Sequence, residues 1–315
     1  MKPGVAFPDY ITSGKKSRYN DYSDLKIRHT RGFFLLAILI SLLYGIMQFF
    51  NLDIFHRQEN INRLSGFHRN SYTYGGQILI FLFYLLNKWL IKPRKTYDLI
   101  LFLSCFFCLL NTCQRSLIIA AIVGFVFYLI FSKLNSRQLI LMTTIAIPVF
   151  LTYWFHKIVL KRFKNIFSPS LNPRPNVRFK IWKIAIDLWK RNVWIGAGFF
   201  PTVAHSYNEF TIKYLTHAHN LYLQILVVNG LIGLVGFLSL FSTIIFILVK
   251  SINNSSFALC LLSVLISFSI HGFFEYFWGD SEVRYLLLCF IGFVLGTMFN
   301  LKNDTDCVGK LNENK

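Results

Sequence analysis

Read as blocks of apolar residues separated by short polar segments, the chain shows eight long hydrophobic stretches. They lie near 32–50, 74–92, 97–112, 116–132, 139–155, 221–249, 257–273 and 283–300. A membrane-spanning helix needs about 17–25 mostly apolar residues. No two-residue alternation of barrel type appears, and lipid offers backbone groups no water, so these blocks predict helices. The third is short. The sixth is overlong and interrupted at Asn229-Gly230, which predicts either a kink or a re-entrant piece followed by a span. A different pattern occupies 176–192, NVRFKIWKIAIDLWKRN, where Phe179, Trp182, Ile186 and Trp189 recur at three- and four-residue spacing opposite basic positions. It predicts an amphipathic helix lying along the membrane interface, apolar side down. The expected fold is an all-α polytopic membrane protein of about eight transmembrane helices, with one large extracytoplasmic loop, 156–220, that contains the interfacial helix.

The polar flanks set the orientation. Lys15, Lys16, Arg18, Lys26, Arg28 and Arg31 precede the first block. Lys92, Arg94 and Lys95 follow the second, Lys133 and Arg137 the fourth, Lys250 the sixth and Lys302 the eighth. All fall on one side, which is then cytoplasmic. This divides the chain into a cytoplasmic basic tail at 1–31, a membrane-embedded domain at 32–300 and a polar, disordered cytoplasmic tail at 301–315. The loop 156–220 is strongly basic yet falls outside. Long loops translocate largely regardless of charge, and its charge asks for an anionic ligand.

Composition agrees. Of 315 residues, 54% are hydrophobic and only 15% charged, too apolar for an ordinary soluble domain. A formal charge of +19 would ordinarily suggest nucleic acid. Here it flanks spans, so anionic lipid is the better partner. Residues 1–31 are polar, so no secretory signal peptide is expected there. Cys105 and Cys108 form a C-x-x-C inside an apolar block, where redox or zinc chemistry lacks polar surroundings and packing is the expected role.

The candidate chemistry collects on the outside face. NRLSGFHRNSYTYG (62–75), NTCQRS (111–116), Arg174, Arg178, His205, His217 and His219 of the large loop, and HGFFEYFWGDSEVR (271–284) all fall there. Arg115 heads a span and Arg178 heads the interfacial helix. Each either snorkels to headgroups or grips phosphate oxygens with its guanidinium fork. A unit-charge pair at about 4 Å gains about 4 kcal/mol at an effective dielectric of about 20, enough to matter for a lipid diphosphate. In THAHNLYLQILVVNGLIG (216–233), Asn220 is expected as a helix N-cap. His219 then precedes a helix N-terminus, whose dipole disfavours imidazolium and leaves a base. His217 would point about 200° away on a helix, so the two histidines are not expected to act together. A metal site is not expected either, because no i, i+4 pair and few carboxylates are present. Glu275 and Asp280 are either solvated loop acids or groups that orient a histidine or hold a sugar hydroxyl. WIGAGFFPT (194–202) lacks the lysine and hydroxyl of a phosphate loop and reads as a tight turn allowing close packing.

These motifs, in this order, resemble the O-antigen ligase/polymerase superfamily of bacterial membrane enzymes. HAHNLYLQILVVNGLIGLVGF resembles its H-N-x-y-l-q…G-l-i-G-l signature, and VRFKIWKIAIDLWKRNVWIGAGFFPT its R…W…G-x-G stretch. QRSLIIAAIVG is similar to its S-R-g element, with arginine and serine in reversed order. LYGIMQFF and NRLSGFHRNSYTYGG are similar to its Y-G-x-x-Q and r-x-x-G-x-f-x-N stretches. The resemblance implies inverting, metal-independent transfer of a glycan from an undecaprenyl-diphosphate carrier to a sugar, a lipid A core or a protein, at the outer face of the bacterial inner membrane. No cofactor is implied. Arg115 and Arg178 match the diphosphate-binding arginines, His219 the histidine that activates the acceptor hydroxyl, and Glu275 an acid found in many members. Family members usually have more spans, so the resemblance implies an N-terminally shortened member. Two other readings stand beside it: a transporter or flippase for an anionic lipid-linked glycan, and a degenerate structural subunit.

Overall fold

In the computed structural model, which describes residues 32–52, 63–68, 70–91, 96–132, 174–198 and 217–312, the regular structure is helical throughout the described residues. The elements are α1 (Gly32–Phe49), α2 (Ser71–Ile91), α3 (Thr96–Asn111), α4 (Arg115–Phe131), α5 (Arg174–Arg191), α6 (Leu221–Ser251), α7 (Ser256–His271), a 3-10 turn (Phe277–Gly279) and α8 (Ser281–Asn312). Seven of the eight apolar blocks are helices. The fifth, 139–155, lies outside the described residues, as do the tail 1–31 and the loop parts 156–173 and 199–216 with His205. Gly32–Phe49, Leu221–Ser251 and Ser281–Phe299 are long and apolar enough to cross a membrane. Thr96–Asn111, Arg115–Phe131 and Ser256–His271 are apolar but shorter. The expected disorder beyond residue 300 is corrected: α8 runs on to Asn312. No proline interrupts 301–312, and an established helix adds a hydrogen bond with each further residue.

The middle of α2, ILIFLFYLL, is apolar on every face, so it is buried all round and becomes the axis of the fold. Helices α3, α4, α7 and α8 pack about it. Helices α4 and α7 approach closely because their shared face is small: a Cβ on Gly124 would meet Ser267 Oγ and the Ser263 carbonyl. Both serines turn their hydroxyls back to carbonyls four residues earlier, leaving no polar group open. Two pairs of polar side chains lie deeper in the bundle. Tyr128 donates to Asn87 at 2.8 Å, and Lys88 meets buried Asp98 at 2.7 Å. Cys105 and Cys108 are free and buried, as expected.

Within α1–α4 and within α6–α8 successive helices alternate in direction, and hydrogen bonds gather four polar segments at one end. Leu64 N donates to the Asn111 carbonyl, Thr73 Oγ1 to Asp280, and Leu221 N to the Gly272 carbonyl. Lys88 and Lys250 stand near the opposite ends of α2 and α6. The LYGIMQ and LSGF motifs explain each other there. Gln48 accepts from the Ser65 and Gly66 backbones and donates to the Gly66 carbonyl, while Tyr44 stacks on Phe67 at 4.2 Å.

Helix α5 carries a second apolar stripe beside the expected one. Its buried stripe is Ile181, Ala185 and Leu188, packed against Ala218 and Val227. Phe179 and Ile186, on the stripe expected to face the membrane interface, are exposed at the protein surface, and Trp182 and Trp189 are half-buried. The helix has two adjacent apolar stripes, and the protein, not lipid, takes one of them.

The break in α6 is real. Gly230 has φ 68° and ψ −166°, outside helical geometry. Such a break frees carbonyls before it and N–H groups after it, which lipid cannot satisfy. Segment 193–198 satisfies them: Ala197 N and Gly198 N donate to the Val227 and Val228 carbonyls, and Leu231 N and Ile232 N donate to those of Val193 and Trp194. The WIGAG turn is the splint for the broken helix, and Gly196, at φ 76°, lets the two backbones touch.

Candidate functional site

The stretch HAHN is shaped by the residues on either side of it. Asn220 is the N-cap of α6, accepting from Leu223 N at 2.9 Å, and its Nδ2 donates to the Phe273 carbonyl. Gln224, one helical turn on, accepts from Ala218 N at 2.8 Å. Trp182 of α5 donates its indole N–H to the Ala218 carbonyl at 3.0 Å. Ala218 is therefore held from both sides, and the histidines flanking it project from a fixed turn. His219 adopts φ 49°, a left-handed conformation that reverses the chain into the helix.

This turn delivers His219 to Glu275, 56 residues further on. Nδ1 lies 3.0 Å and 3.2 Å from the two carboxylate oxygens. An ionised carboxylate only accepts, so Nδ1 carries the proton and Nε2 keeps its lone pair. Glu275 is buried. Burial pushes its pKa up, but the hydrogen bond from His219, the charges of His219 and His217, and the Tyr276 N–H outweigh that and hold the carboxyl below its ordinary value. The pair is built like the base and orienting acid of general-base catalysis.

The expected separation of His217 from His219 is corrected. Their rings lie 4.2 Å apart, and His217 Nδ1 is 3.7 Å from Glu275 Oε1. The 200° argument assumed a helix, and residues 217–220 precede one. The His219 backbone N–H donates to His217 Nδ1 at 3.2 Å, so neutral His217 carries its proton on Nε2. Burial, then the charge of His219, lower its pKa to about 4, with Arg178 adding to the effect and Glu275 opposing it.

Arg178, half-buried on α5, is close enough for its charge to act on both His217 and His271. Arg115 is exposed at the start of α4. Gly124 sits opposite Ser263–Ser267 on antiparallel α7. Nine residues of helix, about 13 Å at about 1.5 Å per residue, raise Arg115 to the level of the 271–275 turn. The structure thus groups His219, Glu275 and Arg178, and sets Arg115 at the same end of the bundle. Asp280 bonds Thr73 at 3.1 Å and is not a free loop acid. Burial, with the charges of Glu275 and Glu282, raises its pKa to about 6 against the Thr73 bond. Sequence reasoning passed over His271, which is buried with Nδ1 unpartnered, four residues before Glu275. Its place at the end of an apolar block beside the acid was the available signal.

These shifts set a pH dependence. The folded pKa of His217, about 4, lies below its ordinary 6.5. Between these values the unfolded chain binds more protons, so stability is full above about 6.5 and drains as pH falls toward about 4. The lowered pKa of Glu275 acts in the same direction. Thermal unfolding of the purified protein, followed from neutral pH down to about 4, is expected to show Tm falling through that window. His217→Gln, which has no titrating imidazole, should flatten the decline.

Residues 99–238 match the family model described as O-antigen ligase. The matched segment holds Arg115, Arg178, His217 and His219 and ends before Glu275. No curated protein matches the chain.

Proposed function

We propose, from the membership of the O-antigen ligase superfamily that this match supports, that the protein transfers a glycan from an undecaprenyl-diphosphate carrier to a sugar acceptor. The setting is the outer face of the bacterial inner membrane, with both termini cytoplasmic. His219 Nε2 takes the proton of the acceptor hydroxyl as that oxygen attacks the anomeric carbon. The bond from that carbon to the diphosphate oxygen breaks, its electron pair leaves with the carrier, and the configuration inverts. Glu275 orients the imidazole and stabilises it once protonated. Arg178 and Arg115 bind the diphosphate and bear the charge that develops on it. No metal takes part.

The observation that supports this reading most strongly is the buried Glu275 carboxylate on His219 Nδ1 at 3.0 Å, with Arg178 beside them. A carrier for the same lipid would use ionisable groups in mid-span. In the described apolar helices the charged side chains stand near the ends, and the break at Gly230 is closed by backbone hydrogen bonds. In a transfer assay with purified protein, Arg178→Ala is expected to lower the rate by about 10²–10³-fold, as for loss of one donor to a developing anion. A rate equal to wild type removes Arg178 from the role. Surface glycans of a host lacking the protein separate the two acceptor types. Loss of long ladders with one repeat retained marks a polymerase; loss of all attached repeats marks a ligase.

A further inference from the structure

We infer that His217, His219 and Glu275 together form a binding site for a divalent transition-metal ion of the zinc class, and that an ion held there blocks glycan transfer; the second half rests on the function proposed above. One nitrogen or oxygen from each of the three residues lies within 4.8 Å of the others. The measured separations are 3.0 Å from His219 Nδ1 to Glu275 Oε1 and 3.7 Å from His217 Nδ1 to the same oxygen. A tetrahedral ion with bonds of about 2.0–2.1 Å sets its ligands about 3.3 Å apart. The two separations to Glu275 Oε1 bracket that spacing, so each histidine already stands at a ligand's distance from the carboxylate.

The donor set suits zinc. Two imidazoles and one carboxylate leave one position open, the arrangement of a three-ligand site. Hydrogen bonds hold the donors and the turn that carries them. Tyr276 N donates to Glu275 Oε1, Gln224 and Trp182 pin the backbone between the histidines, and Asn220 ties the turn to Phe273. The histidine side chains are 26% and 31% exposed, which gives an ion a path in, while the carboxylate behind them is 5% exposed. The lone pair of His217 Nδ1 accepts the His219 N–H, and an ion bound there displaces that hydrogen bond. The charge of Arg178 works against the ion, so the expected affinity is weaker than that of a structural zinc site.

Inhibition follows from the tautomer. For transfer, His219 keeps its proton on Nδ1, donated to Glu275, and accepts at Nε2. A metal on Nδ1 takes that lone pair, and the single proton of the neutral ring moves to Nε2. The ring then has no lone pair left to accept a proton, and Glu275 is occupied as a ligand. No proton is gained or lost by the ring in this exchange.

The test uses the full chain, purified in detergent, stripped by chelator and titrated with Co2+ and then Zn2+. Cobalt absorption and calorimetry read binding without any need for activity. One ion per chain is expected, with affinity weakened by more than about a hundredfold in His217→Ala and Glu275→Gln, beyond the about 10–100-fold that losing a hydrogen-bond partner of a ligand costs. His217→Gln serves if the alanine variant does not fold, with Tm as the check. Wild-type transfer is expected to stop with Zn2+ and return with EDTA. No ion bound at millimolar concentration, equal affinity in the variants, or faster transfer with zinc would each overturn the inference. Failure of the binding arm leaves the transfer reading intact. Absence of transfer in EDTA-treated wild type would count against that reading and against the inhibitory half, and leave the binding result standing.

Discussion

Replacing His219 with alanine lowers the rate of glycan transfer by about 10²–10⁴-fold, the range for removal of a general base. The loss should fall on kcat, because His219 takes a proton in the transition state and adds little to binding of the lipid donor. Glu275→Gln should also cost rate. The amide can still touch Nδ1, but it presents a donor as readily as an acceptor, so the tautomer with a free Nε2 is no longer enforced. It also carries no charge to stabilise imidazolium. Removing both groups should cost little more than removing His219 alone, since they act as one unit. The check is a single-turnover assay on purified variants whose Tm matches wild type at neutral pH. Activity within about threefold of wild type in His219→Ala would exclude the base, given the size of the effect expected.

Gly230→Ala carries the largest expected structural effect. With φ 68° and ψ −166°, Gly230 occupies a region that is essentially glycine's alone and costs other residues about 1–3 kcal/mol. The added methyl would also run into the Trp194 carbonyl and approach Gly196 N at 2.5 Å, both backbone atoms that cannot swing aside. The splint 193–198 must then detach, exposing the Val227, Val228, Leu231 and Ile232 backbone groups it satisfies. Each buried orphan costs about 1–3 kcal/mol, so the sum is comparable with the whole stability of a domain, about 5–15 kcal/mol. Loss of folded protein in size-exclusion chromatography is expected for Gly230→Ala, with a milder defect at Gly236, where a Cβ meets nothing within 4 Å. A folded, active Gly230→Ala protein would mean the splint is dispensable.

The helices were legible because lipid removes alternatives. A run such as ILIFLFYLL has no other way to satisfy its backbone, and α2, α6, α7 and α8 fall where the apolar blocks lie. Asn220 and Gly230 were legible because one offers a capping oxygen and the other a conformation open only to glycine. What escaped was partner choice. In α5 the spacing showed the Phe179/Trp182/Ile186 stripe, but not that Ile181, Ala185 and Leu188 form a second one packed on Ala218 and Val227. His217 was set apart from His219 by helical geometry applied one residue too early. The N-cap at Asn220 had already placed both outside the helix. The contact of His219 with Glu275 spans 56 residues and has no local signature. There the family resemblance supplied what periodicity could not. The job of Gln48, clasping Gly66, was equally invisible within its own helix.

The central claim is that an oriented imidazole and a guanidinium act together on a lipid diphosphate. The most direct measurement incubates purified protein with an undecaprenyl-diphosphate-linked glycan and an acceptor, in EDTA, and follows both products. Undecaprenyl diphosphate released in equal amount to an inverted glycoside, by wild type and not by His219→Ala or Arg178→Ala, is the predicted result. Passage of the intact lipid-linked glycan across a liposome with no glycoside formed, or transfer undiminished in both variants, would contradict it.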